Sequence, residues 1–212
     1  INTNLKTCLG EAERQGYIQK NWCKLVTLPK IEKRGEITPL SKEEQSRFLK
    51  AIKGDDLEML FVVALGTGLR LGELLGLKWE DIDFENNQLT VKRSLQRIPV
   101  YEKDKLVRYE VVEQTPKTEN SYRTNNIPKT IVAKLKAYKK QQNKHILRMG
   151  ADYNNHNYIF CDPMGNSINR NKPGRHLKST LSKLGITPIK FHALRHTYAT
   201  RLFEAGVAPK TV

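Results

Sequence analysis

His192 and Arg195 stand three residues apart in Phe191-His192-Ala193-Leu194-Arg195-His196-Thr197, and a second arginine, Arg70, stands far upstream in Thr67-Gly68-Leu69-Arg70-Leu71-Gly72-Glu73. At i and i+3, His192 and Arg195 share one face of a helix. A guanidinium offers a planar fork to two phosphate oxygens, and an imidazole exchanges a proton near neutral pH. Two forks and one imidazole are the parts needed to hold a phosphodiester and move protons around it. Arg70 follows Gly66 and Gly68 and is expected to open a helix, where free amides and the positive dipole end favour an anion. Glu73 can orient its guanidinium. On spacing alone, a surface Arg–Glu pair fits these residues as well.

His196 lies at i+4 from His192, a spacing that also suits two zinc ligands. The metalloprotease pattern H-E-x-x-H requires a glutamate after the first histidine. Ala193 stands there, and no third ligand stands out. His196 is therefore expected to be structural, bonded to backbone or a carboxylate inside the fold. The three cysteines, Cys8, Cys23 and Cys161, form no C-x-x-C pair. They signal neither a disulfide framework nor a zinc knuckle, and read as thiols in a reducing cytoplasm.

A chain of 212 residues suits one domain, or one domain plus a fragment of another. The start at Ile1 points to a fragment. With 37 Lys+Arg against 22 Asp+Glu, the net charge of +15 calls for a polyanionic partner, nucleic acid first and an acidic membrane surface second. The membrane reading is weak: no apolar run approaches the ~20 residues of a spanning helix, and Ile1-Asn2-Thr3-Asn4-Leu5-Lys6 is too polar to open a signal peptide.

These residues must be positioned by a mainly helical α+β frame. A first helix runs to about residue 20, with Leu5, Cys8, Leu9 and Ala12 on one stripe, and a charged Pro/Gly linker fills 26–36. Ser41-Lys42-Glu43-Glu44 is a capping box that starts a helix to about Ile52. Leu57 to Leu65 reads as a buried helix ended by Gly66-Thr67-Gly68, and 72–77 as a short one. Strands are expected within 81–91, at 107–112 and at 121–127, forming a small antiparallel three-stranded sheet, with 99–105 as a charged loop tip. Pro128 opens a long basic helix to about Met149, whose lysines are mainly a solvated face because Ile131, Leu135, Tyr138 and Ile146 mark a core side. Trp79 reads as core. A short strand at 158–160 and helices at 169–184 and after Pro188, ended by Gly206, complete the order.

The string T-G-L-R-x-G-E with L-K-W-x-D-I-D close behind, followed well over a hundred residues later by H-x-L-R-H-T-x-A-T, resembles the signature boxes of the tyrosine recombinases, the phage and conjugative-transposon integrases. The resemblance covers roughly residues 38 to 212. It implies a tail of a core-binding domain plus linker at 1–36 and a catalytic domain at 37–212 that stops before its C-terminal end. It further implies that Arg70 and Arg195 clamp the scissile phosphate and His192 serves as acid/base. Lys117, in Thr115-Pro116-Lys117-Thr118-Glu119-Asn120, implies a general acid for the 5′-hydroxyl leaving group; among many lysines, only the resemblance singles it out. The family cleaves and rejoins DNA through a 3′-phosphotyrosyl bond, needs neither metal nor nucleotide, and works as a tetramer on DNA. Its nucleophilic tyrosine is expected beyond Val212, because Tyr198 occupies a position that is usually a buried aromatic. The long hairpin within 89–112 resembles that of conjugative-transposon integrases. The implied protein is a cytoplasmic DNA recombinase whose 212-residue piece is inactive alone. The alternatives are a non-cleaving DNA-binding protein of the same fold and a metal hydrolase using His192 and His196.

The charge sets a first measurement. If the chain grips duplex DNA through six or more phosphates, its affinity should fall by ~1,000-fold or more between low and moderate salt. Binding isotherms at several salt concentrations check this, and a salt-insensitive affinity contradicts it.

Overall fold

The structure, a computed structural model, describes residues 2–27, 38–115 and 122–207. The chain divides into two compact units, Ile1–Glu36 and Ile37–Val212. In the first, helix α1 (Asn2–Arg14) is followed by a 3₁₀ turn at Trp22–Lys24. The helix stops six residues short of the sequence expectation, and Gly16 beyond it takes a left-handed φ of 76°. Asn21 pins this unit: it is buried, its side chain donates to the Lys6 carbonyl at 3.0 Å, and its oxygen accepts from the Cys23 amide.

The second unit begins with α2 (Lys42–Ala51), capped as the sequence requires. The Ser41 hydroxyl accepts from the Glu44 amide at 3.1 Å, and the Glu44 carboxylate accepts from the Ser41 amide at 2.8 Å. Next comes α3 (Glu58–Thr67), buried from Met59 to Leu65 apart from its ends and apolar on every side, which makes it the central helix. Phe48 of α2 meets Phe61 of α3 edge to face at 5.1 Å. Close approach of α3 to α5 (Lys129–Met149) depends on Gly66, where a Cβ would lie 2.0 Å from the Ile131 side chain. The five-residue helix α4 (Leu71–Leu75) and a 3₁₀ turn at Trp79–Asp81 lead into the sheet.

Strands β1 (Ile82–Asp83), β2 (Gln88–Val91) and β5 (Arg123–Asn126) form a three-stranded antiparallel sheet in the order β1-β2-β5. Leu89 and Val91 face the core, and Thr90 and Thr124 join hydroxyls at 3.0 Å on the other side. Between β2 and β5 the chain builds a separate ribbon from β3 (Ser94–Glu102) and β4 (Lys105–Gln114). This corrects two sequence expectations. The strand near 107–112 belongs to the ribbon and not to the sheet, and 99–105 is mostly strand, with only Lys103 and Asp104 turning at φ 47° and 62°. A ribbon wet on both faces lacks the buried/exposed alternation that marks a half-buried strand, so its charged end reads as a loop. The segment 158–160 also departs from expectation. Tyr158, Ile159 and Phe160 are buried, yet only a single bridge from Lys78 to Tyr158 pairs them.

Helix α5 buries Ile131, Val132 and Leu135 and leaves most of its lysines in solvent. Lys139 instead lies over the rings of Trp79 and Phe84 at 5.3 and 5.5 Å. Trp79 is core, as expected, and its indole donates to Gln142 at 2.6 Å. Helices α6 (Asn171–Lys183) and α7 (Ala193–Glu204) close the unit. Among the described residues, no helix is long and apolar enough to cross a membrane.

Because α3 is buried all round, Phe61→Ala should cost about 3–5 kcal/mol of stability. Leu147→Ala, at a side chain 82% exposed on α5, should stay within about 0.5 kcal/mol. Urea denaturation of both variants tests whether the core lies where the packing puts it.

Candidate active site

Arg70 stands at the N-cap of α4 with extended backbone, φ −69° and ψ 149°. Its position is fixed by Glu73. The Glu73 carboxylate accepts from the Arg70 backbone amide at 2.9 Å and from the Arg70 guanidinium Nη1 at 3.0 Å. The Arg70 side chain is nevertheless 60% exposed, so the rest of its guanidinium faces solvent. The pairing anticipated from the sequence is real, but Glu73 is buried rather than a surface partner.

A third arginine reaches the same carboxylate. Arg123, the first residue of β5, donates Nη2 to Glu73 Oε2 at 2.6 Å and Nη1 to Oε1 at 3.2 Å. Burial pushes the Glu73 carboxyl up, but the bonds from Arg123 and Arg70 outweigh it and hold the group below its ordinary 4.5. Arg123 escaped the sequence reading. The available signal was strand parity: Arg123 and Asn125 fall on the same side as Ile127, which is buried.

Arg195, on the first turn of α7, donates Nη1 to the Gly68 carbonyl at 2.6 Å. Gly68 ends α3 in the left-handed region at φ 62°, and a Cβ there would lie 2.3 Å from the Tyr198 ring. The turn therefore needs glycine for both its backbone angle and its contact with α7. Burial, then the positive charges of Arg70 and Arg123, lower the pKa of Arg195. Arg195 thus lies within the fields of both Arg70 and Arg123. His192 sits at the N-terminal boundary of α7. Partial desolvation first, then His196, Arg195 and Arg70, lower its pKa below the ordinary 6.5, which favours the uncharged imidazole at neutral pH.

The structure thus brings Arg70, His192 and Arg195 together. Lys117 falls within 116–121, outside the described residues; the chain is described again from Tyr122, one residue before Arg123. His196 differs from expectation. It is exposed, and its ring meets His192 edge-on with centroids 5.1 Å apart. Tyr198 is partly buried against Gly68, and burial raises its hydroxyl pKa despite the opposing charge of Arg195. Among the described residues, no group of three or more His, Cys, Asp or Glu side chains could hold a metal. Three guanidiniums against one carboxylate leave a surplus of two positive charges. With a neutral imidazole beside it, this arrangement can bind a phosphodiester and exchange protons with it.

The chain is similar to known proteins over its whole length. The chain is 42% identical over 222 residues to a XerC-like tyrosine recombinase of Caldanaerobacter subterraneus subsp. tengcongensis, covering 100% of this chain and 56% of that protein. It is 29% identical to the ICEBs1 integrase of Bacillus subtilis, covering 97% of this chain and 54% of that one. The chain therefore spans about half the length of these relatives. Among solved structures, the Tn1549 transposon integrase in complex with transposon right end DNA superposes with a TM-score of 0.75 at 26% identity, over 99% of this chain and 67% of that one. Residues 39–212 match the model of the phage integrase family, and the chain belongs to that family.

Proposed function

We propose that this chain is the greater part of the catalytic domain of a site-specific DNA recombinase, which cleaves and rejoins strands through a 3′-phosphotyrosyl intermediate. The observation that carries the reading is the meeting of Arg70, Arg195 and His192 around the Gly68 turn, with a surplus of positive charge and a neutral imidazole. A protein that only bound DNA would need the positive charge but not this pairing of forks with a proton carrier. Arg70 and Arg195 grip the non-bridging oxygens of the scissile phosphate and offset the charge that builds there during transfer. His192, uncharged, takes the proton of the attacking hydroxyl. Lys117 protonates the 5′-oxygen as it leaves. Preorganised cations do this without metal or nucleotide, and resealing by the 5′-hydroxyl reverses the same steps.

The attacking tyrosine comes from outside these 212 residues. Tyr198 is partly buried against Gly68 with its hydroxyl pKa raised, the opposite of an activated nucleophile. Residues 1–36 are the tail of a preceding DNA-clasping domain and its linker. The recombinase acts on double-stranded DNA, a reading supported by the Tn1549 integrase being solved on DNA; it works in the cytoplasm as a tetramer, as the family resemblance implies.

Two measurements test this. On a nicked suicide duplex, the 212-residue chain should bind without forming a covalent band on a denaturing gel. The native full-length protein should form one, and Arg70→Ala or Arg195→Ala in it should lower the adduct rate by about 100-fold or more. A covalent band from the short chain that is lost in Tyr198→Phe contradicts the assignment of the nucleophile. The second measurement is the pH profile of single-turnover cleavage. A depressed His192 pKa keeps the imidazole neutral to lower pH, so the acid limb of the rate profile should reach half-maximum below the ordinary histidine value of 6.5. A half-maximal point above that value contradicts His192 as the base.

A further inference from the structure

We propose that Arg123 is a positioning residue for strand cleavage: it occupies the Glu73 carboxylate from the sheet side, keeps that carboxylate from capturing Arg70, and so leaves Arg70 free to grip a phosphate. The inference rests on the reading of Arg70 as a phosphate clamp.

The geometry is a matter of counting acceptor sites. An ionised carboxylate offers about four lone-pair positions. At Glu73, only 7% exposed, four donors fill them. Oε1 accepts from Arg70 Nη1 and Arg123 Nη1, and Oε2 accepts from the Arg70 amide and Arg123 Nη2. Arg123 thus engages both oxygens in a fork-to-fork pair, an arrangement open to arginine and closed to lysine. Arg70 commits only one terminal nitrogen, which is why its side chain can remain 60% exposed.

Removal of Arg123 leaves a buried carboxylate with two empty sites and half its countercharge. A buried, under-paired anion is costly. Its nearest remedy is the flexible Arg70 guanidinium three residues away, which would turn from solvent into a two-pronged ion pair with Glu73. The edge meant for phosphate would then be spent on the protein's own carboxylate. Arg123 resists any such drift because β5 holds it: Val91 is its register partner in β2, and Ile127 beyond the strand is buried. Its effect on the reaction passes through Glu73, not through contact with DNA.

The test is single-turnover cleavage of a nicked suicide duplex by the native full-length protein carrying Arg123→Ala or Arg123→Lys, each with and without Glu73→Gln. Arg123→Ala should slow cleavage by about 100-fold, the scale of a misplaced reacting group. Adding Glu73→Gln should recover at least about tenfold of that loss, because the captured arginine is released when the anion is removed. Arg123→Lys, which keeps a charge at the strand, should lose about tenfold and likewise regain rate with Glu73→Gln; it carries the test if the alanine variant does not fold. Cleavage at the unmodified rate in Arg123→Ala overturns the proposal. So does a failure of Glu73→Gln to rescue either variant, the outcome for a merely structural arginine. Arg70→Ala is the reference. If it cleaves normally, the clamp reading itself has failed. If it is dead while Arg123→Ala is normal, only the role of Arg123 has failed.

Discussion

A single buried carboxylate holds the site together. Left alone, Glu73 would either lose its proton at a large desolvation cost or keep it and become useless as a counter-ion. Two guanidiniums and one amide remove that choice. The donors come from different parts of the fold: Arg70 from the start of α4 and Arg123 from the first residue of β5. The helical layer and the sheet are therefore joined at Glu73, beside the proposed phosphate clamp. Neither arginine could keep its place if the other element shifted by the length of a hydrogen bond.

The other half of the site depends on how α7 is moored. Thr197 is fully buried; its hydroxyl donates to the Ala193 carbonyl and accepts from the Leu40 amide, both at 3.0 Å. Arg201, one turn further on, donates to the Leu40 carbonyl at 2.6 Å. The backbone of Leu40 is thus tied to α7 at both its polar atoms. Arg195 adds its bond to the Gly68 carbonyl, and Tyr198 rests on the same glycine. The result is a helix whose rotation about its own axis is fixed, so that His192 and Arg195 present the same face toward Arg70.

Much of this was legible in the chain itself, for reasons that differ by residue. The capping box at Ser41 and Glu44 is a local interaction between near neighbours, and local interactions survive in sequence. The buried helix 58–67 announces itself through an unbroken apolar run. Arg70, His192 and Arg195 were singled out because their flanking residues form long recognisable strings, and the structure brings them together. Arg123 had no such string. Its partner lies 50 positions away, and a pairing of that range leaves no trace beyond the inward parity of one polar strand. The depth of Glu73 was hidden for the same cause: an Arg–Glu pair at i and i+3 looks the same whether it lies on the surface or beneath it. His196 went the other way, since its i+4 relation to His192 was visible but its solvent exposure was not. The ribbon's hairpin was read from the resemblance, but its separation from the sheet was not, because beyond buried Leu95 most of its residues lie in solvent and carry no face pattern.

That ribbon has a consequence for how the protein behaves at high concentration. Two strands paired only with each other leave outer edges of amides and carbonyls open to solvent, and Ile98, Leu106, Val107 and Val111 stand exposed on the ribbon. Such an edge is a template for further strands. Three features blunt it. Pro99 removes a donor from β3, a register shift between Val100 and Tyr101 twists the ladder out of plane, and Arg108 paired with Glu110, along with Lys103 and Lys105 at the tip, surrounds the apolar side chains with charge. At its root, Arg170 donates to the Leu95 carbonyl at 2.9 Å and anchors the strand to the domain. The projection can thus extend into solvent without becoming the seed of a fibril.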